Sequence, residues 1–478
     1  MKHSLFSVLA GCLLAVPSVA QNLLGIAGSP YGGTQSLYLN PAFAAGSPFR
    51  VYLNVAAGNA HVSNNYVRYQ APFSLFQLAT NRVPEQHRRA DGSVMFRTEY
   101  TREILDGMPK SGTAWTDLRG PSVLVSLHDR LAVGVSTRLR SAAQVRHASQ
   151  ELLSVLRAGL ENDALYNIPN ENNQFCAHTT TYAEAGLTLA ATLLADDHRR
   201  LSVGITVKRL QGIMSGFLIN RGLDYRIGLT GGDLTNPYLQ IDKVNAELGY
   251  STYLSDRGRP LALRQLFAAD NPGKGWGADL GVSYQLLDPH QEGRHRLRLA
   301  AALTDLGGIR YRSAEHIQRY TIQETNRRLE DEDFRNVRGL EDAARVLRDR
   351  LTDASQNQRQ YRSGLPAALV LNADMQLMGD VFLTATYLQN LRPREAIAMH
   401  QPTVLALTPR FESRTVGLAV PLLYLNRTFA AGLTVRLGPV FVGTDNLIGL
   451  LGSSGNALQP RGADLYAGLA FAGLHRKP

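Results

Sequence analysis

The run RLSVGITVKRL, residues 200–210, puts Leu201, Val203, Ile205 and Val207 on one side of an extended chain and Ser202, Gly204, Thr206 and Lys208 on the other. Side chains alternate faces along a strand, so a period of two gives one apolar and one polar face. The same alternation returns in GADLGVSYQLL (277–287), where Leu280, Val282, Tyr284 and Leu286 oppose Asp279, Gly281, Ser283 and Gln285. It returns in FAAGLTVRLG (429–438), with Phe429, Ala431, Leu433, Val435 and Leu437 against Ala430, Gly432, Thr434 and Arg436. Two architectures satisfy this pattern. A sandwich buries the apolar face between its sheets. A membrane barrel turns that face to lipid and the small, polar face to its lumen. Globular strands run to about five or six residues, whereas these approach the roughly ten that cross a bilayer at a tilt. The lengths favour the barrel. Lys208, Asp279, Ser283 and Arg436 are then candidate lumen-facing residues, and Val203, Ile205, Val282 and Leu433 should meet lipid. Arginine at Ser283 should therefore be far milder than arginine on the lipid face.

The 478 residues are 44 % hydrophobic with a mean hydropathy of −0.15. Beyond the N-terminus no apolar run reaches the ~18 residues of a membrane helix, a test that a barrel escapes because only alternate residues meet lipid. Residues 1–20 read as a secretory signal: Lys2 and His3, an apolar stretch from Leu5 to Val16, and SVA ending at Ala20. Cleavage there makes Gln21 the mature start. A rival lipoprotein box, LAGC, ends at Cys12, but the apolar run continues past it through LLAVP. With the signal removed, Cys176 is the single cysteine, which excludes an intramolecular disulfide and reads as an exposed loop thiol. The formal charge is +10. No long Lys/Arg run accompanies it, which argues against nucleic acid and for arginines spread over loops and lumen.

The chain divides into the signal (1–20), an N-terminal hatch (21–48) and a barrel (49–478). Strand candidates recur often enough for 14 to 16 spanning strands, an even number, since closure must pair every edge. Three stretches depart from the pattern. Residues 70–118 are mixed, with prolines and a short helix candidate in FSLFQLA. Residues 148–162 have helical spacing behind a Ser149 cap. Residues 315–362 hold ten Arg and ten Asp or Glu. Helical spacing at Leu340, Ala343, Ala344, Leu347 and Leu351 makes that stretch a charged helical insert lying outside the bilayer.

Catalytic motifs are nearly missing. There is no nucleophile elbow, no P-loop and no paired-histidine motif. GKGWGADLG (273–281) leads into a strand rather than a helix, so it is no phosphate cradle. Ser126 and His128 share a strand face, but His128 falls at the turn HDR, where the sequence offers no obvious orienting partner. Cys176 with His178 is too small a set for zinc. The chain reads as no enzyme, with no cofactor and no metal.

GIAGSPYGGTQSLYLNPAFAAGSPFRVYLN opens the mature chain with small residues and an Asn40-Pro41-Ala42 turn before the first strand. This resembles the hatch that starts barrels related to the long-chain fatty-acid transporters, where an NPA turn lies inside the lumen. A wider set of motifs, LYLNPAF, FRVYLNVAAGNAHVSNNYV, PFSLF, DLRGPSVLVSL, VSTRLRS and GTDNLIGLL, resembles an uncharacterised family of outer-membrane barrels from Bacteroidota-type bacteria, a domain of unknown function. The resemblance spans nearly the whole mature chain. It implies fold and outer-membrane location but no substrate or site residues. At the C-terminus YAGLAFAGL places Tyr466, Gly468 and Phe471 near the spacing that barrel-assembly machinery recognises, although Gly473 or Leu474 replaces the usual last aromatic.

The expectation is an all-β, up-and-down antiparallel transmembrane barrel in contact with outer-membrane lipid. It would bind or pass a small hydrophobic or amphiphilic molecule through a gated lumen. The alternative is a non-transporting accessory or anchor barrel with a secretion or gliding-machinery protein as partner, supported by the charged insert.

Overall fold

The computed structural model describes residues 23–160, 163–232, 237–253, 265–288, 294–334, 340–351, 357–425, 428–454 and 460–475. The signal at 1–20 and Cys12 lie outside them.

One antiparallel sheet closes on itself and crosses the membrane fourteen times. The passes are β1 (Phe49–Asn64), β2 (Lys110–Arg119 and Ser122–His128), β3 (Leu131–Ala148), β4 (Asn170–Ala195) and β5 (Arg199–Leu229). Next come β6 (Pro237–Ser251 and Gly273–Leu287), β7 (His295–Arg312 and Ile317–Glu330) and β8 (Gln360–Gly364 and Ala368–Met378). The remainder are β9 (Val381–Asn390), β10 (Val404–Glu412), β11 (Val416–Ala419 and Leu422–Leu425) and β12 (Thr428–Ala431 and Leu433–Leu437). The last two are β13 (Val440–Thr444) and β14 (Gly462–His475). Closure is by β14 on β1, with Phe49 opposite His475 and Leu53 opposite Phe471.

The wall is lopsided. β5 alone runs 31 residues. At about 3.3 Å per residue that is roughly 100 Å, far more than a bilayer needs. Its first half pairs with Gly273–Leu287 and its second with Pro237–Ser251, so β6 is one pass broken in the middle. Exposed large apolar side chains occupy only the lower part of these strands: Leu187, Leu189 and Leu193 on β4, Ile205 and Val207 on β5, Leu280, Val282 and Leu286 on β6. On β5 the exposed positions above that level are Arg221 and Arg226. Exposed Trp276 marks the change, with the Arg209 guanidinium 5.0 Å from its ring. An apolar band edged by an aromatic is the signature of a lipid-facing barrel surface.

Two local readings are corrected. Residues 315–362 are not one helical insert. Ile317–Glu330 is a strand paired with β6 from Ile317 opposite Ser251 to Glu330 opposite Tyr238. Its β-branched Ile317, Thr321, Ile322 and Thr325 suit a pleated surface, and its charges point to water or pair across strands, as Arg319 does with Glu247. Among the described residues of this stretch, helix is confined to Asp331–Phe334 and Leu340–Leu351. Ala344 and Leu351 of the second helix pack on Ile241, Leu248, Tyr250 and Ile322 above the membrane. Likewise, the mixed stretch 70–118 contains the strand Lys110–Arg119, whose partners on β1 lie some fifty residues earlier. The short helices stand where their caps put them. Ser74 and Gln77 form a capping box before Leu75–Ala79, and Ser149 Oγ accepts from Leu152 N at 3.2 Å ahead of Gln150–Ala158.

Candidate functional site: a plugged lumen

Residues 23–47 lie inside the barrel as three short helical pieces, Leu24–Ala27, Pro30–Tyr38 and Pro41–Ala44. Proline opens two of them, where its fixed φ helps and its missing N–H is not needed. Ser29 and Asn40 cap those two turns through side-chain oxygens. Asn40 also ties the plug to the wall. Its Oδ1 accepts from Ala42 N at 2.9 Å, while its Nδ2 donates to the carbonyls of Val282 and Ala301, both at 3.1 Å. Pro41 and Ala42 are buried beside it.

The wall makes room for this turn by having no side chain there. A β-carbon on Gly281 would overlap Asn40 Oδ1, and one on Gly204 would overlap the Pro41 carbonyl carbon. Gly281 and Gly204 face each other across β5 and β6. Gly281→Val should therefore leave the wall assembled and displace the turn, so that limited proteolysis cuts residues 22–48 in folded barrels while the wild-type plug stays protected.

Above Asn40 one sector of the lumen carries a closed charge network. Lys208 reaches Asp279 and Asp305, each at 2.7 Å, and Arg140 reaches Asp305 at 2.7 Å. Arg138 bonds Glu184 at 3.0 Å and approaches Asp117 at 3.3 Å, and Arg119 approaches the same Asp117 at 3.4 Å. Four cations thus face four carboxylates, which is how charges survive burial. Asp305 comes inward through a bulge, where Asp279 is opposed by two residues of β7 and Asp305 adopts φ +55°. The plug enters the network. Tyr38 lies between the Arg119 and Arg138 guanidiniums, each 4.4 Å from its ring centre, and Gln35 accepts from Arg119 while donating to Asn54 at 2.9 Å.

The opposite sector is apolar. Inward-facing Val370, Leu388, Val404, Ala406, Leu423 and Leu425 form one cluster with Leu24, Ala27, Leu39 and Phe43 of the plug. Over the plug's first turn lies a cavity of about 140 Å³, lined by Leu423, Leu425, Ile448, His61, Asp445 and Asp464 among others. Asp445 Oδ2 accepts from Leu24 N at 3.3 Å, and Tyr466 OH donates to Asp445 Oδ1 at 2.9 Å. A second polar knot seats the plug from below. Asp374 accepts from Arg410 at 2.6 and 2.8 Å and pairs with His295 at 2.7 Å, and Arg298 donates to Gly28 O under the Phe43 ring.

Of the four lumen candidates, Lys208 and Asp279 meet. Ser283 is buried, with an Oγ that has no hydrogen-bond partner among the described residues. Arg436 lies elsewhere, donating to Ser413 O at 2.7 Å and Arg414 O at 3.1 Å, with the Tyr31 ring 5.2 Å away. The residues missed by the sequence reading are Tyr38, Arg119, Arg138, Arg140, Glu184, Asp305, His61 and the Asp445–Asp464 pair. Arg138 and Arg140 alternate with outward Thr137 and Leu139, so charges on the small-residue face of a strand were the available signal. Ser126 and His128 do not converge: Ser126 Oγ donates to Phe49 O at 3.2 Å, while His128 is exposed at the turn. Cys176 is buried on β4, not an exposed loop thiol, because the strand extends well above the membrane and its neighbours cover it.

The profile of a family of unknown function, DUF5723, matches residues 41–445. No curated protein matches the sequence. Among solved structures, the toluene transporter TbuX of Ralstonia pickettii is 10 % identical, with 96 % of this chain and 99 % of that one covered and a TM-score of 0.42. A FadL homologue of Pseudomonas aeruginosa is 12 % identical over 96 % and 99 %, with a TM-score of 0.33. The toluene transporter TodX of Pseudomonas putida is 9 % identical over 93 % and 94 %, with a TM-score of 0.35.

Proposed function

We propose that this chain, which belongs to the DUF5723 family of unknown function, works in an outer membrane as a gated, non-enzymatic barrel that passes small hydrophobic or amphiphilic molecules. The observation that carries this reading is the apolar sector of the lumen. A water-filled pore is polar inside, yet here Val370, Leu388, Val404, Ala406, Leu423 and Leu425 face inward and continue from the cavity down to the plug. The plug covers this lane without joining the sheet, so side-chain contacts hold it and their exchange can release it. Export through the 1–20 signal, insertion by barrel-assembly machinery and contact with outer-membrane lipid complete the proposal.

Asn40 gives the test. Asn40→Ala removes two wall hydrogen bonds and a cap, each worth about 1 kcal/mol, so the released state should gain roughly a hundredfold in population. Cells carrying Asn40→Ala should take up a lipophilic fluorescent dye faster than cells carrying the wild-type chain, and these faster than cells with neither. Identical uptake in all three would reject passage and make the accessory barrel the better reading.

A further inference from the structure

The cavity above the plug has a polar end whose groups do not satisfy one another. His61 is 4 % exposed and points inward from β1, and neither ring nitrogen has a hydrogen-bond partner among the described residues. Leaving such a group dry costs free energy. Its nearest ionisable neighbour is Asp464, with Nδ1 3.9 Å from Oδ2. That gap is too long for a hydrogen bond. Asp464 meanwhile commits Oδ1 to the Thr444 hydroxyl at 2.6 Å and to the Asn446 N–H at 3.2 Å, besides the Asp445 N–H. Oδ2 is the atom left turned toward His61. An apolar wall runs from Leu423 and Leu425 inside to Ile448 and Phe429, both exposed, toward the outside, while Thr428, Asn446 and Arg461 are among the polar residues of the lining.

We infer that this cavity binds a small apolar molecule carrying one hydroxyl, about the size of phenol. This assignment rests on the lumen being a hydrophobic passage and adds the head group that the passage selects. A hydroxyl both donates and accepts. Set between the two side chains, it donates to Asp464 Oδ2 and accepts from a His61 N–H, closing the 3.9 Å gap with two ordinary bonds. A hydrocarbon without a head group fits the volume but leaves His61 unsatisfied. The volume, about 140 Å³, sets the size: cavities of about 150 Å³ accept a benzene ring. The floor of the site is the plug itself, since Asp445 holds the Leu24 N–H.

The test is calorimetric titration of the full detergent-solubilised chain with phenol and toluene. Phenol should bind and toluene about tenfold or more weakly, because a site built to hydrogen-bond a hydroxyl discriminates against analogues lacking it. His61→Phe should lower phenol affinity to the level of toluene. Leu425→Trp, which fills the cavity, should abolish both, and heat-modifiable mobility shows that each variant is assembled. Equal binding of phenol and toluene to the wild type, or an unchanged phenol affinity in His61→Phe, would overturn the assignment. Dye uptake and plug-deletion conductance are read separately. Their success with phenol selectivity lost would discard the head group and keep the passage, whereas phenol selectivity with flat uptake would keep the site and discard the passage.

Discussion

Deleting residues 22–45 should leave an assembled, heat-modifiable barrel whose conductance in planar bilayers rises by roughly an order of magnitude or more over the intact chain. Eight-stranded barrels are filled by their own side chains, and barrels of about sixteen leave an aqueous channel. Fourteen passes approach the second case, so something must fill the lumen, and here it is the segment Leu23–Ser47. Nearly all of that segment is buried, yet it contributes no strand to the sheet. The wall should therefore close without it. Loss of Tyr38 and Gln35 frees Arg119 and Arg138 on one face, but their carboxylate partners Asp117 and Glu184 are on the wall and remain. An assembled deletion variant that conducts no better than wild type would end the gated-lumen reading. The accessory barrel would then be preferred.

Arginine at Val282 should be the most damaging single substitution among those considered, costing about 2–4 kcal/mol of barrel stability at mid-membrane. Val282 is 40 % exposed on the outer face between Leu280 and Tyr284, and Val203 is its cross-strand partner. Folding titrations in lipid vesicles should show the loss directly. The neighbouring Ser283 responds differently from the sequence-based expectation. A water-filled lumen would tolerate Ser283→Arg. In this structure Ser283 is 1 % exposed, two residues from the glycine on which Asn40 sits. Arginine there should leave the wall assembled but unseat the plug, and so raise conductance and protease sensitivity together, while Ser283→Ala should be nearly silent. Equal loss of barrel stability at Val282 and Ser283 would count against a lipid-facing wall.

The sequence by itself determined which way side chains point. Alternation is local: Val203, Ile205, Val282 and Leu433 turn outward and Lys208, Asp279, Ser283 and Arg436 inward because successive residues of a pleated strand must oppose. It determined the small helices as well, since capping needs only a serine and the turn that follows. Asn40-Pro41-Ala42 was visible as a rigid turn for the same reason. What only the tertiary structure decided is what these faces meet. Lys208 and Asp305 are 97 residues apart and Arg140 and Asp305 are 165 apart, so their pairing depends on strand order and register rather than on any local pattern. The strands at 110–119 and 317–330 follow the same rule. Their mixed and charged sequences have weak local preference, and a long partner supplied the hydrogen bonds that settled them. Likewise, the cavity exists because β1, β11 and β14 bring His61, Leu425 and Asp464 to one place over the plug, and packing among elements so distant in the chain leaves no periodic mark in the sequence.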